Sequence, residues 1–282
     1  HVFGVQGGAI MPVYDALYDS EEITHVTMAH EQGAAHAADA YGIVTGEPGA
    51  CMATSGPGAT NLVTGIADAD MDSDPLIALT GQVPTGIVGN DAFQETDTIG
   101  ITTPVTKANY FASHQDTVGD TVGTAFALAR DGRQGPTLVD LPKNVTQGET
   151  DAEPGEPETP DTFEVPDAAD EEIVEEAAEA IAGAERPLVL AGGGVIKGDA
   201  VEEIRRFVYD YEVPVVTTMP GIGSVPEDHD LCLEWAGMHG TGYANMAITH
   251  CDLLFAIGTR FDDRLTGKIE TFAPEAEVIH VD

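Results

Sequence analysis

Basic residues are scarce in this chain of 282 residues. Four lysines and seven arginines stand against 49 Asp and Glu, leaving a formal net charge of −38. A surface of that sign repels phosphate backbones and anionic lipid, which excludes nucleic-acid and membrane-surface binding as general functions. Long apolar runs are missing too: nothing approaches the ~18 consecutive apolar residues of a membrane-spanning helix. The opening His1-Val2-Phe3-Gly4 lacks the basic and apolar regions of a signal peptide. Cysteine is rare, and Cys51, Cys232 and Cys251 are an odd number without metal-ligand spacing. A reduced, cytoplasmic setting is the expectation.

What is present is enough apolar residue, 42%, to build real cores, so the charge does not imply disorder. The acids are spread along the whole chain. Self-repulsion on that scale destabilises a compact state at ordinary ionic strength, whereas a screening length of about 3 Å at 1 M salt removes most of the cost. The expectation is a halophilic protein of a salt-rich cytoplasm. Binding of a basic partner is the competing reading, although partner-binding acid usually comes in blocks.

At roughly 150 residues per domain the length suggests two domains. Between Glu149 and Glu172 the sequence turns acidic and proline-rich, with Pro154, Pro157, Pro160 and Pro166. Such a composition forms no core and reads as an extended linker. The expected division is a first domain over 1–150, a linker over 151–167 and a second domain over 168–282. Both halves alternate strand-like and helix-like runs. In the first, strands are expected at 24–29, 49–54, 75–80 and 136–141, with helices over 31–44, from 57 to about 71, and over 117–130. In the second, helices are expected over 171–184, 199–209 and 245–250, and strands at 187–191, 213–217, 253–258 and 278–281. The fold class is therefore α/β, two doubly wound parallel-sheet domains. In such sheets ligands sit at the carboxyl ends of the strands.

Four loops of the first half leave strand ends: Gly4–Ala9 (GVQGGA), His30–Gly33 (HEQG), Ser55–Asn61 (SGPGATN), and Gly81–Pro84 running on to Asp91–Asp97 (DAFQETD). Singly they are weak. A glycine loop at a helix N-terminus binds an anion or is simply a turn. Glu31 reads equally as a first-turn acid favoured by the helix dipole and as a catalytic group. His30 and His36 lie near a helix start with no third ligand in zinc spacing. In the second half, Ala191–Val195 (AGGGV) follows a strand without being a strict GxGxxG, so a plain turn competes with a nucleotide site. The segment Gly258–Gly267 (GTRFDDRLTG) concentrates two of seven arginines after a buried strand. It reads as a phosphate or diphosphate contact, or as an Arg–Asp surface network.

Together these segments resemble the large catalytic subunit of acetolactate synthase, a thiamine-diphosphate enzyme family. The matching stretches are Val2–Ala9 (VFGVQGGA), His30–Asp39 (HEQGAAHAAD), Thr54–Gly65 (TSGPGATNLVTG), Met71–Pro84 (MDSDPLIALTGQVP), DAFQETD, Gly237–Asn245 (GMHGTGYAN) and Arg260–Gly267 (RFDDRLTG). They run in family order across nearly the whole chain.

The resemblance implies a domain for the aminopyrimidine over 1–150 and most of a central, Rossmann-like FAD domain over 168–282. A third domain for the diphosphate and Mg2+ has no counterpart motif here. The chain is therefore expected to be a fragment, inactive alone, without metal ligands of its own. The implied reaction decarboxylates pyruvate and joins the two-carbon unit to pyruvate or 2-oxobutyrate, the first common step of branched-chain amino acid synthesis. Glu31 matches the family's glutamate at the pyrimidine ring, and Gly8 lines the reaction centre. Pro57 and Asn61 lie beside the cofactor, Phe93 and Gln94 contact intermediate and substrate, and Lys107 stands at the channel mouth. FAD contacts are expected from Gly192, Gly193, Gly194, Thr217, Thr218, Gly237, Met238, His239, Gly258, Arg260, Asp262 and Arg264, with the flavin structural. A homodimer or larger assembly, with a small regulatory subunit in some members, is also implied. Two departures stand out: Gln6 where the family usually has Pro, and Thr103 where it tends to have Arg. A flavin-dependent pyruvate oxidase, or a fragment that only binds flavin, is the rival reading.

Overall fold

The computed structural model describes residues 1–157 and 168–282; most of the expected linker, 158–167 with Pro160 and Pro166, lies outside the described residues. The chain divides into two units, His1–Val165 and Pro166–Asp282.

In the first unit the strands are β1 (Val2–Gly4), β2 (His25–Thr27), β3 (Gly49–Ala53), β4 (Leu76–Gln82), β5 (Ala108–Phe111) and β6 (Pro136–Pro142). All pair in parallel in the order β2-β1-β3-β4-β6-β5. Parallel strands need crossovers, supplied mainly by the helices α1 (Met11–Tyr18), α2 (Glu31–Thr45), α3 (Pro57–Asp72), α4 (Thr98–Thr102), α5 (Val118–Arg130) and, after β6, α6 (Lys143–Thr146). The central strands β3, β4 and β6 are buried throughout, as continuous apolar runs covered on both faces should be.

Local chemistry sets the helix ends. His30, in extended conformation, caps α2 by accepting the Gln32 N–H on Nδ1 at 3.1 Å. Gly46 closes α2 at φ +70, a conformation that glycine adopts without a Cβ penalty. Pro57 opens α3, where its missing N–H costs nothing. Small residues let α2 and α3 approach closely: a Cβ on Gly65 would fall 2.5 Å from Ala35 Cβ and 3.0 Å from the His36 nitrogen. Ala34, Ala35, Ala38, Leu62, Ile66 and Ala69 form the resulting core with Cys51 and Leu76.

The second unit holds β7 (Pro187–Ala191), β8 (Val215–Thr217), β9 (Cys232–Trp235), β10 (Leu253–Ile257) and β11 (Glu277–Val281), in the parallel order β11-β10-β7-β8-β9. Its helices are α7 (Glu171–Gly183), α8 (Gly193–Lys197), α9 (Val201–Tyr211), α10 (Gly242–His250) and α11 (Asp263–Thr266). Both sheets agree with the doubly wound α/β reading. Helix α7 forms where its periodicity places it, yet none of its residues is buried, and Ile173 and Val174 stay more than half exposed. The edge strands β5 and β9 are not legible in the sequence, because they are short and mostly half-buried.

Candidate active site

The loops singled out in the first half converge at the carboxyl ends of β1 to β4. Glu31, the first residue of α2, accepts a hydrogen bond on Oε2 from Asn61 Nδ2 in the second turn of α3, at 3.0 Å. Thr54 ties two more loops to this pair. Its Oγ1 accepts the Ala9 N–H at 3.1 Å. Cβ atoms on Gly7 and Gly58 would collide with it at 2.4 and 2.8 Å, the latter also 3.6 Å from Glu31 Oε1. The fourth loop seats on the third: Gly56, at φ +59, lies against Gln94, whose carbonyl oxygen would be 2.5 Å from an added Cβ. Gly81 likewise abuts the Ala9–Ile10 backbone. Gly8 differs from all these, since no atom of the described residues lies within 4 Å of the place its Cβ would occupy. Contacts at Thr54, Gly56 and Gly58 thus bring together the loops that carry Ala9, Glu31, Asn61 and Gln94. Gln94 sits at φ +57, and Phe93 beside it is 87% exposed. Their loop is fastened by Glu95, which accepts from the Gly89 and Ala92 N–H groups; these backbone bonds hold its carboxyl below the usual range.

Lys107 is not brought into this group. It precedes β5, so it stands at the amino edge of a parallel sheet whose carboxyl edge carries Glu31. Its Nζ donates to the Leu128 carbonyl at 2.7 Å and to the Asp131 carbonyl, closing the end of α5. Burial lowers its pKa, partly opposed by the Asp131 charge. Within one chain Lys107 therefore stands apart from the loops that carry Glu31, Asn61 and Gln94. Of the two departures, Gln6 is exposed, and the Thr103 hydroxyl donates to the Ile99 carbonyl at 2.6 Å.

Sequence reading missed a supporting layer beneath the loops. Asp140 is 1% exposed in β6 and accepts from Thr80 Oγ1 at 2.7 Å and Gln82 Nε2 at 2.8 Å. Burial pushes its carboxyl up to about 6, against the pull of those two bonds. The signal was there: an acid inside the apolar run PTLVDL. Tyr14 was missed as well. Its hydroxyl meets His25 Nε2 at 3.0 Å, and burial together with the Glu31 charge raises its pKa to about 12.

In the second unit the expected flavin residues also collect at carboxyl ends. Gly192 and Gly194 pack on Gly258, where Cβ atoms would come within 2.0 and 2.6 Å of it, so these glycines serve the mutual approach of two loops. The Thr218 N–H donates to the Ala191 carbonyl at 3.0 Å. Among the described residues, the buried Thr217 Oγ1 has no hydrogen-bond partner. Gly237, at φ +111, is held by both groups of the Asn245 amide, at 2.9 and 3.0 Å. The Met238 N–H donates to the Arg264 carbonyl at 2.7 Å. Asp262 caps α11 through the Arg264 and Leu265 N–H groups. Gly193, Met238, His239, Arg260 and Arg264 keep side-chain or backbone surface open to solvent.

The His30 and His36 readings separate. His30 is a helix cap, whereas His36 finds acidic neighbours in Asp39 and in Asp68 of α3.

Residues 1–101 match the family described as "Thiamine pyrophosphate enzyme, N-terminal TPP binding domain", and residues 174–282 match "Thiamine pyrophosphate enzyme, central domain". Over the whole chain there is 51% identity to a probable acetolactate synthase large subunit of Methanocaldococcus jannaschii, covering 48% of that protein. The acetolactate synthase large subunit of Corynebacterium glutamicum is also 51% identical, with 45% of its length covered. That of Parasynechococcus marenigrum is 48% identical over 99% of the chain and 46% of its own length. The chain thus spans about half the length of the curated relatives it matches.

Proposed function

This chain belongs to the thiamine pyrophosphate enzymes and is similar to acetolactate synthase large subunits, and from that premise we propose that it carries the aminopyrimidine and flavin sites of an acetolactate synthase. The observation that carries the reading is the Glu31 carboxylate, fixed by Asn61 on one oxygen and lying beside Gly58 on the other.

The residues fit thiamine diphosphate. When bound, the cofactor supplies a carbon nucleophile that releases carbon dioxide from a 2-oxo acid and passes the remaining two carbons to a second one. Glu31 contributes a fixed acceptor for a proton at a ring nitrogen. Asn61 occupies Oε2 and thereby sets the plane of the carboxylate, leaving Oε1 toward Gly58 and the space beyond. Half-buried and held this way, the carboxylate offers its second oxygen in a fixed direction, so little reorganisation is needed when a donor arrives. Gly8 keeps the reacting region clear of side-chain bulk. Phe93 and Gln94, on a loop pinned at Gly56 and by Glu95, would contact substrate. Pro57 rigidifies the turn into α3. Lys107 acts on substrate only if a second copy of the chain brings it near, as a homodimer or larger assembly would.

In the second unit the buried, unpartnered Thr217 Oγ1 is an orphan that a bound polar group would satisfy. FAD is proposed there, held by the Gly192–Gly194 turn, Thr217, Thr218, Gly237–His239, Gly258, Arg260, Asp262 and Arg264. Mg2+ would accompany the diphosphate. Pyruvate is the proposed donor, pyruvate or 2-oxobutyrate the acceptor, and branched-chain amino acid synthesis the proposed pathway; the acidity is proposed as adaptation to a salt-rich cytoplasm. A small regulatory subunit is a further proposed partner.

The test is product identity. The complete protein, supplied with pyruvate, thiamine diphosphate, Mg2+, FAD, inorganic phosphate and oxygen, is expected to form 2-acetolactate. Acetyl phosphate with peroxide would overturn the assignment in favour of an oxidase.

A further inference from the structure

We propose that His36 and Asp39 of α2, with Asp68 of α3, form a site for a divalent transition-metal cation that pins the two helices together. One donor atom from each residue lies within 4.8 Å of the other two, and His36 Nδ1 stands 3.3 Å from Asp68 Oδ2. Bonds of 2.0–2.2 Å to a shared ion place donors roughly 3 to 4.4 Å apart, a spacing that small rotations of the exposed Asp68 side chain reach. His36 and Asp39 are three residues apart on one helix face. Asp68 arrives from the facing helix, brought close by the Gly65–Ala35 contact.

Acidic neighbours alone would not make a site in so acidic a chain. The independent observation is Asp39 itself: it is 7% exposed, and among the described residues its buried Oδ1 has no hydrogen-bond donor. An unsatisfied buried carboxylate oxygen is costly. Burial and the charges of Asp74, Asp68 and Asp72 push this carboxyl up to about 7, and it also contacts the buried Asp74 carboxyl. Such a cluster calls for positive charge. A proton shared between Asp39 and Asp74 would answer part of the demand without involving His36 or Asp68. The imidazole decides the class of ion, because nitrogen with two carboxylates suits Zn2+, Co2+ or Mn2+ better than an alkali ion. His36 and Asp68 reach solvent, giving the ion a path of entry and room for water ligands. The site stands whether or not the chain acts on 2-oxo acids. It would brace the helix pair about 8 to 12 Å along α2 from Glu31, at 1.5 Å per residue.

The experiment strips the purified full chain with chelator and titrates Co2+ at 1 M KCl, where diffuse binding to surface acid is suppressed. One saturable equivalent with visible ligand-field bands is expected, displaced by one equivalent of Zn2+. His36→Gln should weaken binding at least a hundredfold and Asp68→Asn at least about tenfold. Zn2+ should raise the melting temperature of the parent chain and leave that of His36→Gln unmoved. Asp68 is exposed, so its variant keeps the test valid if His36→Gln fails to fold. Absence of saturable binding in the parent would favour the shared proton alone, and equal binding in both variants would show only diffuse attraction; either result overturns the proposal.

Discussion

Asp140 Oδ2 accepts a hydrogen bond from Gln82 Nε2 at 2.8 Å, and the same nitrogen donates to the Thr96 carbonyl at 2.9 Å. A buried acid in β6 is thereby linked to the loop that presents Phe93 and Gln94.

That acid makes stability depend on pH. Its folded pKa of about 6 exceeds the ordinary value of 3.8, so between those values the folded state binds more protons than the unfolded one. The contribution to stability is intact below about pH 4 and is lost as pH rises through about 6. Urea unfolding from pH 4 to 7 should show Asp140→Asn flattening the slope relative to the parent, by up to about 1.4 kcal/mol per pH unit for one group. Parallel curves for parent and variant would remove Asp140 as the source.

Lys107→Met tests whether this cation is structural. Losing its bonds to the Leu128 and Asp131 carbonyls should cost about 1–2 kcal/mol, less than a fully buried charged bond because the side chain is half exposed. Denaturant midpoints measure it. Unchanged stability with a raised KM for pyruvate would instead place Lys107 at the substrate.

In the second unit the Asn245 amide grips both backbone groups of Gly237. Asn245→Ala should free a turn that only glycine enters comfortably at φ +111. A loss of about 1–3 kcal/mol is expected, and flavin absorbance of the purified complete protein should fall with it. Full flavin retention would show that the turn does not matter to the cofactor.

Much of this architecture was legible because the signals are local. The expected helix 31–44 is Glu31–Thr45, and the strand 187–191 is observed unchanged. Caps, glycines and apolar runs act within a few residues of where they stand. What escaped depends on residues far apart in sequence. Periodicity shows nothing of the Thr80–Gln82–Asp140 network, whose members lie on adjacent buried strands. His36 lacked a third ligand in its own segment because Asp68 comes from another helix. Lys107 was expected near the substrate from the resemblance, and its own segment does not reveal at which edge of the sheet β5 begins. The Gly192–Gly194 run marked a turn correctly, yet two of its glycines are accounted for by packing on Gly258.

The most direct measurement concerns the carboxylate beside Asn61. In the complete protein, Glu31→Gln keeps a side chain of the same shape but removes the negative charge needed to hold a ring proton. Acetolactate formation should fall at least about a hundredfold while flavin content and melting temperature stay close to the parent's. Turnover at the parental rate in a correctly folded Glu31→Gln protein would contradict the account.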